Sequence, residues 1–173
     1  RSAENALEGS ATSRRDCRLI GIDNSVAMIR RAQEQVPSES RIEWVEADAL
    51  EVNFAPCSVV ILNFTLQFIP IAQRLRLLKS IRSAMVPGGL LILSEKLTMA
   101  DSAMDKLMID LHHDFKRSQG YSDLEIAQKR DAIENVLIPE TAQSHSDRLL
   151  EAGFSRSSIW FQCLNFASFI VIA

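Results

Sequence analysis

Two nearly continuous apolar runs, Ser58–Phe64 (SVVILNF) and Leu90–Ser94 (LLILS), do most to limit what this chain can become. Each reads as a buried strand. Pro70–Met85 lies between them and reads as a helix with Leu75, Leu78, Ile81 and Met85 on one face, stopped by VPGG at 86–89. Strand, helix, strand in this order means a right-handed crossover and a parallel pair covered on both faces.

The same alternation runs upstream. Residues 1–9 read as a helix, with Ala3, Ala6 and Leu7 on one side, and Ser10–Asp16 as a loop. Arg18–Ile22 is a short strand. Ser25 caps a helix that runs through Gln35, and Pro37 closes it. Arg41–Glu46 (RIEWVE) is a strand, with Asp48 just beyond it. After residue 95 the pattern changes to helices at 101–118, 123–137 and about 142–151. Ser158–Leu164 and Phe166–Ile172 then form an antiparallel hairpin.

The expected fold is α/β: a single Rossmann-like domain over 1–173, mostly parallel, with a helical insertion at about 101–137 and the hairpin at its end. Doubly wound nucleotide-binding domains open with a strand and a Gly-rich turn. This sequence begins inside what reads as the helix after that turn, so both are expected to lie outside these residues.

Composition narrows the function. Apolar residues make up 47% and charged residues 24%, with a net charge of −3. A protein that grips nucleic acid by itself usually carries a basic surplus, so direct nucleic acid binding is not expected. Pairs such as Lys116–Arg117 read as solvated faces. No apolar run approaches the roughly 18–20 residues that span a membrane, and the polar start does not read as a signal peptide. Cys17, Cys57 and Cys163 show no CxxC pairing, which fits a reducing cytoplasm and a role as small core fillers. His112 and His113 point about 100° apart on a helix and do not converge on a metal, so no metal site is expected. Either titrates near neutrality and is a conceivable general base, but each reads first as a surface or packing residue.

Ligands of open α/β sheets bind beyond the carboxyl ends of the strands. Asp23, Asp48 and Asn63 stand at three such ends. Asp23 occupies the place where nucleotide folds bond ribose hydroxyls, and an Asp at position 48 can accept from an adenine amino group. Any one of them is more simply a turn former; three in register are better support for a site. Arg130 adds a cation. In DLEIAQKRDAIENVL it shares a helical face, within about 40°, with Ile126, Ile133 and Leu137. An inward guanidinium needs an anion. Spacing alone favours a protein carboxylate somewhat over a ligand's.

The words GIDNS, VVILNFTLQF, LSEK, HHDFKR, GYSDLEIAQKR, ENV and IWFQCLNF resemble the carboxy-S-adenosyl-L-methionine synthases from about residue 18 onward. LNFTLQF and the HHDFKR…QKR pair are the most specific. The resemblance implies a class I methyltransferase fold and a cytoplasmic transferase. It implies that S-adenosyl-L-methionine and prephenate become carboxy-S-adenosyl-L-methionine and phenylpyruvate, with a sulfonium ylide capturing the carboxyl unit that leaves prephenate. A partner tRNA carboxymethyltransferase then uses the product at the wobble uridine. The family's ribose and adenosine contacts fall on Asp23 and Asn24, and those near adenine on Asp48 and Ala49. Its LNF asparagine falls on Asn63, and the arginine meeting the new carboxylate falls on Arg130, the one residue given a catalytic role. A homodimer is also implied, with 101–137 a place for its contact. Val26 stands where the family often has proline. The family's Gly-rich loop and a ligand-side tyrosine fall upstream of Arg1. The rival readings are an ordinary S-adenosylmethionine methyltransferase, a truncated non-catalytic binding module and, against the charge balance, a tRNA-binding protein.

Overall fold

A computed structural model describes residues 17–36, 41–134 and 136–173, and of 129–134 the backbone alone. The helix expected at 1–9 lies outside the described residues, as does Pro37. The chain forms two compact units, Arg1–Val52 and Asn53–Ala173.

In the first unit, β1 (Leu19–Asp23) pairs in parallel with β2 (Ile42–Glu46) through α1 (Val26–Gln35). Ser25 caps α1: its Oγ accepts from the Met28 amide at 3.4 Å. Gly21 stands opposite Trp44 in the register. The indole lies so close that a Cβ on Gly21 would sit 2.5 Å from it. Here glycine is required by close approach across the pair.

The second unit is built on a four-stranded sheet of order β3-β4-β6-β5, from β3 (Cys57–Asn63), β4 (Met85–Lys96), β5 (Arg156–Cys163) and β6 (Phe166–Ile172). β3 and β4 are parallel, and β6 is antiparallel to both β4 and β5. Four helices complete it: α2 (Ile71–Ala84), α3 (Ser102–Ser118), α4 (Asp123–Glu134) and α5 (Ala142–Glu151). The described strands thus form a parallel pair in the first unit and a mixed four-stranded sheet in the second, whose two antiparallel pairings are both made by β6 of the terminal hairpin.

The core lies on one face of the four-stranded sheet. Leu91, Leu93, Phe169 and Val171 are buried on the strands, and Leu77, Leu78, Ile81 and Leu149 on α2 and α5. On β3 the alternate residues Val59 and Ile61 are 55% and 66% exposed.

Several expectations need correction. The buried face of α2 is Arg74, Leu77, Leu78 and Ile81, with Leu75 only half-buried. VPGG does not simply follow the helix. α2 ends at Ala84, and β4 begins at Met85 and runs through it. Cys57 pairs with Met85 and Val59 with Leu90, so β4 advances five positions while β3 advances two. The three extra residues bulge outward, which lets a proline sit in a strand. Cys17 and Cys163 are exposed and Cys57 is half-buried, so none of them fills the core. The α4 helix is described only to Glu134. By Ile138 the chain has left it, because that amide donates to the Gln67 carbonyl at 2.9 Å. Leu137 therefore does not extend the helical face shared by Ile126 and Arg130.

Candidate functional site

Asp23 is the last residue of β1, and Asp48 lies two residues beyond β2. The two strand ends are joined directly, since the Ala47 amide donates to the Asp23 carbonyl at 3.0 Å. Each carboxylate also shapes its own turn. Asp23 Oδ1 accepts from the Ser25 amide at 2.8 Å, and Asp48 Oδ1 from the Leu50 amide at 2.9 Å. These are the side-chain turns expected of Asp after a strand. Each turn occupies a single oxygen. Among the described residues, Oδ2 of either Asp accepts no hydrogen bond, and a carboxylate has lone pairs enough for both duties. Asp23 is half-buried, Asn24 and Asp48 are exposed, and Ala49 is half-buried. These free carboxylate oxygens are acceptors that fit the hydroxyls of a ribose and the amino group of a purine.

In the second unit, Asn63 ends β3 opposite Ser94. Phe64 follows with φ of 55°, a backbone region that residues with a Cβ rarely adopt, and its amide donates to the Ser94 carbonyl at 2.8 Å. The turn then enters a short 3-10 helix, Leu66–Phe68. Asn63 is exposed at the strand's carboxyl end. Arg130 lies in α4, and its side chain falls outside what the structure describes. His112 packs edge-on against Phe166, ring centres 4.9 Å apart, and Phe166 against Phe64 at 5.8 Å. That arrangement is a packing role for His112.

Three polar residues that support this end of the sheet escaped the sequence reading. Glu95 is fully buried on β4. Its Oε1 accepts from the Leu66 amide at 2.8 Å and its Oε2 from the Gln67 amide at 3.0 Å. Burial raises its pKa to about 7, against the opposing pull of those amides, of the Arg74 charge and of the Thr65 amide. Gln67 is buried as well, and its Oε1 accepts from the Lys96 amide at 3.0 Å. Arg74 is fully buried. It donates to the Glu140 carboxylate and to the carbonyls of Ile69 at 2.8 Å, Ile138 at 2.8 Å and Gln67 at 3.3 Å. Arg148 also donates to Glu140. Burial pushes the Glu140 pKa up, but the hydrogen bonds and charges of the two arginines outweigh it and hold the carboxyl below its ordinary value. The signals were present. Arg74 stands at i, i+3, i+4, i+7 with Leu77, Leu78 and Ile81, and Glu95 alternates with Leu91, Leu93 and Leu97.

Residues 5–89 match the methyltransferase domain family. Carboxy-S-adenosyl-L-methionine synthase of Pseudomonas aeruginosa is 55% identical over 163 residues, covering 90% of this chain and 66% of the relative. The enzyme of the same name from a Geobacter species is 53% identical over 162 residues, covering 91% and 66%. The chain belongs to the carboxy-S-adenosyl-L-methionine synthase family. It spans just under two thirds of the length of these synthases. Among solved structures, human N-acetylserotonin methyltransferase in complex with SAM superposes with a TM-score of 0.60 at 16% identity, covering 96% of this chain and 43% of that one. An O-methyltransferase family 2 protein of Planctomyces limnophilus gives a TM-score of 0.62 at 18% identity, covering 90% and 42%. The fold of this synthase-family chain is therefore that of the class I methyltransferases, with the antiparallel hairpin β5–β6 at its end. Among the described residues no helix is long and apolar enough to cross a membrane.

Proposed function

We propose that the intact protein converts S-adenosyl-L-methionine and prephenate to carboxy-S-adenosyl-L-methionine and phenylpyruvate. The observation that carries this reading is the 55% identity to a synthase of that name across nine tenths of the chain. In the proposed reaction a carboxyl unit passes from prephenate to the methyl carbon of S-adenosyl-L-methionine. The prephenate ring aromatises as it also loses its hydroxide, which leaves with the displaced methyl proton as water.

The roles proposed for the residues follow their chemistry. Asp23 accepts from the ribose hydroxyls, with Asn24 beside it. Asp48 accepts from the adenine amino group, with Ala49 beside it. Asn63 offers its amide at the end of β3. Arg130 pairs its planar fork with the new carboxylate and stabilises that charge as it forms. No protein general base is assigned. The chain acts as one S-adenosyl-L-methionine-binding domain within a cytoplasmic homodimer, with 101–137 as the contact. The product goes to a tRNA carboxymethyltransferase, and the net charge of −3 suits a protein that leaves the tRNA to that partner.

Mass spectrometry of the small molecule released from the purified, heat-denatured full-length protein tests the reading. Carboxy-S-adenosyl-L-methionine is the expected ligand, and prephenate-dependent formation of phenylpyruvate the expected activity. S-adenosyl-L-methionine turned over with no consumption of prephenate would point instead to an ordinary methyltransferase.

A further inference from the structure

Asn63 is one residue from a strained backbone, and something must hold that strain in place. Phe64 has φ of 55° and only one backbone bond to β4, from its amide to the Ser94 carbonyl. The next anchor is Glu95, whose two oxygens take the first amides of the 3-10 helix, Leu66 and Gln67. Within this short helix the Phe68 amide donates to the Thr65 carbonyl at 3.1 Å, whereas the first two amides have no carbonyl of the turn to reach and depend on the carboxylate.

We propose that Glu95 is a positioning residue for the ligand site. Its buried carboxylate clamps the amides of Leu66 and Gln67, fixes the Asn63–Phe64 turn, and so aims the Asn63 amide. The inference rests on the proposed contact between Asn63 and S-adenosyl-L-methionine. A leucine at this position, like Leu91, Leu93 and Leu97 on the same face, would leave those two buried amides unpaired, so the carboxylate is what holds the turn. A buried carboxylate is costly unless it is bonded, and here it meets backbone donors of the turn and the charge of Arg74.

The turn amides favour the ionised carboxyl, which accepts at both oxygens, while burial opposes the charge more strongly and raises the pKa to about 7. The charged groups around it are Arg74 of α2 and, through Arg74, Glu140 together with Arg148 and His145 of α5. Burial holds the His145 pKa down to about 4, and Glu140 lies below its ordinary value. Glu95 is therefore the carboxyl of this cluster that titrates near neutrality.

The experiment uses the full-length protein and S-adenosyl-L-methionine as the probe. Binding is measured by calorimetry at about pH 8, with hydrogen exchange of the 64–68 amides followed in the same buffer. In the wild type, the Leu66 and Gln67 amides are expected to be protected from exchange. Glu95→Gln, whose side-chain nitrogen cannot accept, is expected to lose protection at 64–68 and to bind about tenfold more weakly, the loss of one charge-assisted hydrogen bond. The inference is overturned if Glu95→Gln keeps wild-type affinity. It is also overturned if Leu66 and Gln67 exchange without protection in the wild type, a test that stands even where the variant does not fold. A wild type that binds no S-adenosyl-L-methionine would instead overturn the function on which the inference rests.

Discussion

Arg74 donates to Glu140 across 66 positions of sequence, in the interior of the second unit. The arginine is fully buried and the carboxylate nearly so, at 12% exposure. Three backbone carbonyls complete the shell of the guanidinium, at Ile69, Gln67 and Ile138. The segment that follows α4 is thus tied to the segment that follows β3.

Arg74→Leu removes the cation and leaves those carbonyls and half of Glu140 without a donor. Breaking a buried pair from one side costs about 3–5 kcal/mol, and Arg148 on Glu140 should keep the loss toward the lower end. Arg74→Lys should recover part of it, since an ammonium cannot reproduce the planar fork. Urea unfolding of the two variants measures both, and equal stability of Leu and wild type would refute the account.

Stability should depend on pH through two buried groups with opposite signs. Glu95 is raised to about 7 from 4.5, so between those values the folded state binds more protons and stability falls as pH rises. His145 is lowered to about 4 from 6.5, so there the unfolded state binds more protons and stability falls as pH drops. The two slopes oppose each other where the windows overlap, each at most about 1.4 kcal/mol per pH unit. His145→Gln should expose the Glu95 slope: its urea midpoint should rise on acidification from about pH 6.5 to about pH 4.5 relative to wild type. Parallel profiles for the two proteins would contradict this.

Gly21→Ala should destabilise the first unit by about 1–3 kcal/mol, because the new methyl meets a rigid indole rather than a flexible chain end. The displaced ring of Trp44 should also shift its fluorescence. A variant with wild-type stability and emission would mean that the strand pair accommodates the methyl without moving the ring.

Arg130→Ala should lose retention of carboxy-S-adenosyl-L-methionine by about tenfold or more while binding of S-adenosyl-L-methionine changes little, since only the former carries the carboxylate. Competitive binding of the two ligands to the full-length variant checks this. Equal losses for both would remove the assignment.

Much of the fold was legible because hydrophobic period and end signals agree. The Ser25 cap, the run SVVILNF and the final hairpin all appear within a few residues of where the pattern puts them. The start of β4 was not, because Pro-Gly-Gly stops a helix and also makes a bulge, and only the partner strand decides which. Asp23 and Asp48 in the first unit and Asn63 in the second were legible as strand-end residues. Glu95 and Arg74 were not, although their spacing puts them on buried faces. The amphipathic spacing that singles out Arg130 applies at least as well to Arg74, whose anion is a protein carboxylate.

The place of β6 between β4 and β5 bears on how the chain is made. Leu90 pairs with Ile172, so a strand early in the unit waits for one translated long after it. Until Phe166–Ile172 leaves the ribosome, β4 presents an unpaired edge, and Leu91 and Leu93 lack their neighbours Val171 and Phe169. Such long-range pairing slows folding and prolongs exposure of a sticky edge. The second unit should therefore close late in synthesis, and a nascent chain stalled before Phe166 should be a chaperone client rather than a folded intermediate.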